Sequence, residues 1–314
     1  MNLLASLRYL AALDEHKHFG RAAQACHITQ PALSNALRAL EREFGTVIVR
    51  RGRNFEGFTP EGARVLLSAQ RMLQERETLQ QELDSGIGKP QGNLHIGAVP
   101  TAMPIAARFC ALLQAHYPGI TPTVRSMSSN ELETGLESLS LDMGLGYIDR
   151  LRDNGPGLRQ IKQYTEHYFF VRRAEKVKKG VLQLGPKITW SEAAKHPLCL
   201  LTREMHNRTI VENAFQEAGV MSQPRIETNS ILTLALAVVE GSVCTVMPGA
   251  LVGALRGYQE LEALPLVSPD VRTTIGFMAQ GGDRPSRTLE AALALAQDAG
   301  WLRHAAAHSG LLSV

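Results

Sequence analysis

Two groups of side chains in this sequence could act chemically on a partner. The first lies between residues 30 and 53. Gln30, Ser34, Asn35 and Arg38 share one face of a segment with helical periodicity, and Pro31 stands in its first turn. Amide, hydroxyl and guanidinium groups placed there can hydrogen-bond base edges or phosphates from the front half of a helix. A few residues on, Arg50, Arg51 and Arg53 crowd a turn around Gly52, where guanidinium groups suit DNA backbone or minor-groove contacts. Alone, a polar helix face or a basic hairpin is ordinary solvated surface.

The second group is dispersed. Pro100, Thr101, Ser128, Ser129, Tyr147, Thr202, Arg203 and Asn229 each follow a run that reads as a strand. In open parallel sheets, ligands collect outside the C-terminal strand ends, where helix N-termini point. Hydroxyls beside unpaired N–H groups favour an anion there, a small carboxylate above all, and Arg203 would pair with one. The plainer role for Thr101 and Ser128 is to cap helices.

No catalytic constellation emerges. Gly144-Leu145-Gly146 begins like a dinucleotide loop, but Asp149 takes the place of the third glycine. There is no P-loop, HExxH or GxSxG segment, and no cysteine–histidine spacing suited to a metal. The histidines are scattered; His95, His167 and His196 read as packed or surface residues. Cys26, Cys110, Cys199 and Cys244 form no CxxC pair, which suits a reducing compartment. Cys199 and Cys244 fall on neighbouring expected strands, so redox sensing stands as an alternative. The expectation is no catalytic residue, no metal and no cofactor.

The elements that must position these residues follow from length and pattern. At 314 residues, 44% apolar and net charge +3, the chain is too long for one average domain and too apolar for disorder. Residues 1–60 hold eight Lys/Arg against five Asp/Glu, an excess of three that equals the whole chain's. The longest apolar stretch, Ile231 to Leu255, is cut by Glu240 and Pro248, and Arg8, Asp14 and Glu15 break any secretory pattern. A cytoplasmic protein without membrane contact is expected.

Leu3, Leu7, Leu10 and Ala11 mark a first amphipathic helix. A short second one runs from Phe19 to Cys26, with Ala22, Ala23 and Cys26 inward. After a turn, Thr29 caps a third helix whose buried stripe is Leu33, Ala36, Leu37, Leu40 and Phe44. Val47 to Phe58 form a two-stranded wing. A long helix follows from Thr59, with Val65, Ala69, Met72, Leu79 and Leu83 on a heptad seam interrupted by Arg76. About 26 residues of helix span nearly 40 Å, more than a sixty-residue domain needs, so this seam is expected to pair two chains. Ser85 to Gly92 reads as a hinge. Beyond it, strands and helices alternate: strands near 93–99, 121–125 and 143–146, then a second series from His167, ending with a strand at 272–279 and a helix from Arg287.

The ordered elements Phe19-Gly20-Arg21-Ala22-Ala23, Ile28-Thr29-Gln30-Pro31-Ala32-Leu33-Ser34, Leu40-Glu41, Gly45 and Phe58-Thr59-Pro60-Glu61-Gly62 resemble the LysR-type transcriptional regulators. Asn93-Leu94-His95-Ile96-Gly97 and the segment Glu240 to Pro248 are similar to that family's second module. Asn35 and Val49 depart from common residues of the family, so the operator sequence does not carry over.

The resemblance implies an α/β chain with an all-α winged helix-turn-helix domain at residues 1–58, a linker and dimerisation helix at 59–85 and a hinge at 86–92. The effector-binding domain is expected at 93–314, similar to type 2 periplasmic binding proteins. Its first lobe would comprise about 93–163 and 269–303, its second about 164–268. The function implied is sequence-specific regulation of transcription, as an activator, under a small-molecule effector bound between the lobes. Double-stranded DNA, a second copy within a dimer or tetramer, and RNA polymerase are the partners implied. The runner-up from another class is a ligand-binding or enzymatic α/β protein whose N-terminal helices only mediate interaction.

Overall fold

The computed structural model describes residues 2–52, 55–84, 90–151, 157–177, 182–281 and 285–309. The chain divides into two compact units. One comprises the N-terminal residues through Ile87, and the other the chain from Gly88 on, save the short segment Glu137–Ser140.

In the first unit, α1 (Leu3–His16), α2 (Phe19–Ala25) and α3 (Gln30–Phe44) enclose one apolar nucleus. Leu7, Leu10 and Leu13 meet Ala22 and Ala23 of α2 and Leu33, Leu37 and Leu40 of α3. Alanines on α2 let the helices approach closely. Each helix begins on a side-chain acceptor, which satisfies N–H groups that have no partner inside the helix. Asn2 accepts from the Ala5 N–H at 3.1 Å. His18 Nδ1 accepts from Gly20 and Arg21 at 3.0 and 3.3 Å. Thr29 faces the Ala32 N–H at 3.4 Å, and α3 ends on Gly45, left-handed at φ 63°. Leu3 and Phe44, expected inside, are 41% and 46% exposed. They are the first residue of α1 and the last of α3, beyond the reach of the nucleus. Cys26 is only half-buried, at the C-terminal cap of α2.

The wing pairs β1 (Val49–Arg51) antiparallel with β2 (Phe55–Phe58). Next comes α4 (Pro60–Asp84), a helix of 25 residues begun by Thr59, whose hydroxyl accepts from the Gly62 N–H at 2.9 Å. Its first turns belong to the nucleus. Ala69 is buried there and Val65 is half-buried against it, so these two expected seam residues pack within their own unit. Met72, Leu79 and Leu83 differ: they are 49%, 56% and 68% exposed.

The second unit is built on a mixed sheet. It contains β3 (Gly92–Ala98), α5 (Met103–His116), β4 (Ile120–Ser126), α6 (Ser129–Glu137), β5 (Met143–Tyr147), β6 (Leu158–Arg173), β7 (Gln183–Leu184), β8 (Ile188–Thr189) and α7 (Trp190–Ala193). It continues through β9 (Leu198–Leu201), α8 (His206–Glu217), β10 (Pro224–Thr228), α9 (Ile231–Glu240), β11 (Cys244–Pro248) and α10 (Gly249–Ala254). It closes with β12 (Leu261–Val267), β13 (Arg272–Gln280), α11 (Arg287–Ala296) and α12 (Ala299–His308). Strand order is β10-β9-β11-β6-β13-β5-β3-β4, with β12 also on β6.

The long strand β6 serves both halves. Residues Leu158 to His167 pair antiparallel with β13, whereas Tyr168 to Arg173 pair with β11 and β12. The handover falls between two adjacent residues. A strand expected from about His167 is therefore the second half of a 16-residue strand. Its first half carries Arg159, Gln160 and Lys162, which hide it from a search for apolar runs. β3, β4 and β5 are mutually parallel, as are β9, β10 and β11. β13, α11 and α12 return to the first lobe, where Phe277, Ala292 and Trp301 share a core with Leu94, Phe109 and Met143.

Gly62 is where backbone meets backbone: a Cβ there would collide with the Ile48 carbonyl oxygen. Gly62→Ala is expected to cost the N-terminal unit about 1–3 kcal/mol, read as faster hydrogen exchange in α1 to α3. Unchanged protection would mean that the approach of α4 to the wing is not tight.

Candidate DNA interface and effector cleft

Burial of Leu33, Leu37 and Leu40 fixes the rotation of α3 about its axis, and the opposite face follows. Gln30, Pro31, Asn35 and Arg38 are exposed and Ser34 is half-buried. A surface groove of about 700 Å³ runs along this helix, lined by Asn35, Arg38, Glu41, Arg42, Gly45, Thr46 and Val47. It extends the polar face to Arg42, a residue that sequence spacing alone did not single out. The cue was present, since Arg42 follows Arg38 by one helical turn.

The wing arginines divide. Arg50 is exposed. Arg51 is engaged within the unit: its Nη1 donates to Glu41 Oε2 at 2.7 Å, while Glu41 Oε1 accepts the Ile48 and Val49 N–H groups at 3.0 and 3.1 Å. Expected as a DNA contact, Arg51 is first a brace between α3 and the wing. Arg53 lies outside the described residues. Partial burial works against ionised Glu41, but the Arg51 hydrogen bond and two backbone donors outweigh it and hold the carboxyl below its ordinary range. A depressed carboxyl pKa stabilises the fold above the unfolded-state pKa, and that stability is lost as pH falls through the folded-state value.

In the second unit, a cavity of about 10 Å³, room for about one water, is lined by Pro100, Thr101, Ser128, Ser129 and Tyr147 with Leu201, Met205, His206 and Asn207. The first five come from three successive strand ends of one lobe, the last four from the other lobe. The Thr101 and Tyr147 hydroxyls lie 2.9 Å apart, and Asn207 Nδ2 donates to Tyr147 at 3.4 Å. The buried Ser129 Oγ has no hydrogen-bond partner. Outside lies an open cleft of about 950 Å³, sharing Pro100, Ser128 and Met205 and adding Glu131, Glu204, Asn229 and Ser230 among others.

Two expected residues stand apart. Thr202 and Arg203 line neither space; Arg203 is exposed and Thr202 donates to Glu204 Oε1 at 2.6 Å. The strand-end rule fails here because a turn through Met205 separates β9 from α8, so His206 and Asn207 at the helix start reach the cavity instead. The Ser128 N–H and hydroxyl both donate to Glu131 Oε2 at 2.8 Å. That internal carboxylate occupies the helix end where an anion was expected. His206, its ring edge-on to Tyr147 at 5.0 Å, has its pKa lowered by burial and by the nearby Arg150 charge.

A helix-turn-helix unit with an outward polar face, in one chain with a two-lobed α/β module holding a cleft, is the architecture of a DNA-binding transcriptional regulator. The family model described as "Bacterial regulatory helix-turn-helix protein, lysR family" matches residues 4–63. A second, "LysR substrate binding domain", matches residues 88–301. The chain belongs to the LysR family. Among its relatives is the DNA-binding transcriptional dual regulator OxyR of Escherichia coli K12, 28% identical over 288 residues, covering 89% of this chain and 90% of the relative. A full-length OxyR variant from Pseudomonas aeruginosa shares the fold with TM-score 0.68 at 22% identity, over 92% of this chain and 95% of that one. CbnR in complex with its target DNA aligns with TM-score 0.64 at 18% identity, over 96% and 99%.

Arg38→Ala is expected to weaken DNA binding across sequences and to lower the salt-dependence slope by about one if it contacts phosphate. Fluorescence anisotropy at several salt concentrations measures this; an unchanged affinity removes Arg38 from the interface. Glu41→Ala leaves two backbone donors and Arg51 without their acceptor and should cost the unit about 1–3 kcal/mol. Equal urea midpoints for both proteins would contradict the brace.

Proposed function

We propose that this regulator is a dimer, assembled further into a tetramer, that activates transcription when a small metabolite binds between its effector lobes. The observation that carries the ligand reading is the cleft of about 950 Å³ lined from both lobes, which shares Pro100, Ser128 and Met205 with a water-sized inner cavity lined by the unpartnered Ser129 hydroxyl. Such a ligand shifts the equilibrium between lobe arrangements by its differential affinity for them. With Arg203 off the wall and α6 capped by Glu131, hydrogen bonding supports recognition better than charge pairing does. The exposed Met72, Leu79 and Leu83 of α4 support pairing through that helix. Activation is the role of relatives such as the hydrogen peroxide-inducible genes activator of Haemophilus influenzae, 26% identical over 291 residues. RNA polymerase as partner, a cytoplasmic location and the lack of any catalytic step or resident cofactor complete this reading.

The peroxide names of those relatives suggest redox sensing, the alternative reading, but the placement of the cysteines in this chain does not favour it. Cys199 pairs with Thr245 and Cys244 with Leu198 across parallel strands, so the two thiols point to opposite faces of the sheet, into different cores. A disulfide between them would require a strand to turn over. Burial raises the pKa of both thiols and pushes Cys110 up to about 11, which keeps them out of the reactive thiolate form.

A thermal-shift screen of small carboxylates, polyols and amines tests the ligand reading. A hit stabilises the wild type, and Thr101→Ala abolishes that shift while retaining DNA affinity; an equal shift in the variant takes Thr101 out of the site. For assembly, Leu79→Glu with Leu83→Glu is expected to give monomers in analytical ultracentrifugation, and undiminished dimer would place the pairing surface elsewhere.

A further inference from the structure

Glu166 is fully buried, on β6 just before the handover from β13 to β11 and β12. One of its oxygens, Oε2, has no hydrogen-bond partner. The groups against its carboxyl are hydroxyls. The Tyr164 hydroxyl lies 3.5 Å from Oε1, and Thr273 of β13 is the other polar neighbour. Thr273 in turn faces the Tyr168 hydroxyl at 3.3 Å. Tyr168 adjoins Tyr147, and Tyr147 meets Thr101 and Asn207 in the cavity wall. A chain of buried hydroxyls therefore runs from the crossover of the lobes to the cavity. It joins Thr101, Tyr147 and Thr273 of the first lobe to Tyr168 and Asn207 of the second.

Among the described residues, no cation neutralises the acid. Its ionisable neighbours are Tyr147 on β5 and Tyr164 and Tyr168 on β6. Arg172 of β6 and Glu262 of β12 pair with each other at 2.8 Å. Arg272 beside Thr273 pairs with Asp270, and His206 of α8 meets the Tyr147 ring and the Arg150 guanidinium. Of the helices against β6, α10 has no ionisable residue, Glu240 of α9 and Arg303 and His304 of α12 are exposed, and the half-buried His308 of α12 is engaged with His304. An ionised carboxylate without a counter-charge is costly in such surroundings, so the group is carried neutral. Burial raises its pKa to about 8, against weaker lowering by Tyr164 and Thr273.

We propose that Glu166, as a neutral acid, is the positioning residue of a hydroxyl strut that holds Tyr147 in the effector cavity, and that loss of its proton loosens the crossover between the lobes. This rests on the reading of the cleft as the effector site. It makes that site sensitive to alkaline pH, although no ionisable residue of the cavity need titrate.

The sign follows from linkage. The folded chain keeps a proton that the unfolded chain releases near the ordinary carboxyl value of 4.5, so stability falls as pH rises between there and about 8. Both tryptophans, Trp190 and Trp301, are buried in this unit, so their fluorescence during urea unfolding of the full chain reports on it. Between about pH 5 and 8 the unfolding constant of the wild type should rise up to about tenfold more per pH unit than that of Glu166→Gln. Parallel profiles overturn the proposal. Thr273→Val keeps the acid but removes a group that favours its ionised form, so the upper end of the transition should move to higher pH; an unmoved end also overturns it. Hydrogen exchange at pH 6 and 9, corrected for intrinsic rates, tests positioning apart from stability. Faster exchange at the amides of 166–168 and 272–274 in wild type at pH 9, absent in Glu166→Gln, is the expected result; equal exchange in both refutes the strut. None of these measurements uses DNA or effector, so their failure leaves the regulator reading intact.

Discussion

One constraint governs the DNA-binding end of the molecule: α3 must bury Leu33, Leu37 and Leu40. With those side chains sealed against α1 and α2, the helix cannot rotate, and Gln30, Asn35 and Arg38 face outward as a consequence. The Glu41 carboxylate extends the same rigidity to the wing, because one side chain holds Arg51 and two backbone N–H groups together. A recognition surface so fixed loses little conformational freedom on meeting a rigid duplex.

The second unit depends on a comparable economy. Because β6 passes through both lobes, any change in their angle would be concentrated where its partners change, at His167 and Tyr168. The polar side chains of the cavity sit close to that point. If the proposed effector binds here, small shifts at Thr101, Tyr147 or Asn207 would be felt at the crossover and would give a small ligand leverage over a much larger body.

Much of this was legible in the residues. The stripe of α3, its Thr29 cap, the Ser128–Glu131 capping box and the positions of Thr101, Ser129 and Tyr147 follow from local periodicity and from the rule that ligands meet strand ends. What escaped was set by tertiary context. Ala69 has the spacing of a seam residue, yet the first turns of α4 are needed by their own nucleus. Arg51 looks like its neighbour Arg50 until Glu41, ten residues earlier, is brought beside it. His206 and Asn207 were missed because a turn displaces α8 from the end of β9. Glu166, a charged letter in a mixed stretch, carries no local sign of the full burial it has in the fold.

The central claim is that the outer face of α3 reads specific DNA. Footprinting and anisotropy of the full chain on the DNA upstream of its own gene, over a range of salt, test it most directly. The account predicts protection of two half-sites about one helical turn or a multiple apart, with affinity falling steeply as salt rises. Binding no tighter than to a shuffled duplex of equal composition, at every salt concentration, would contradict it.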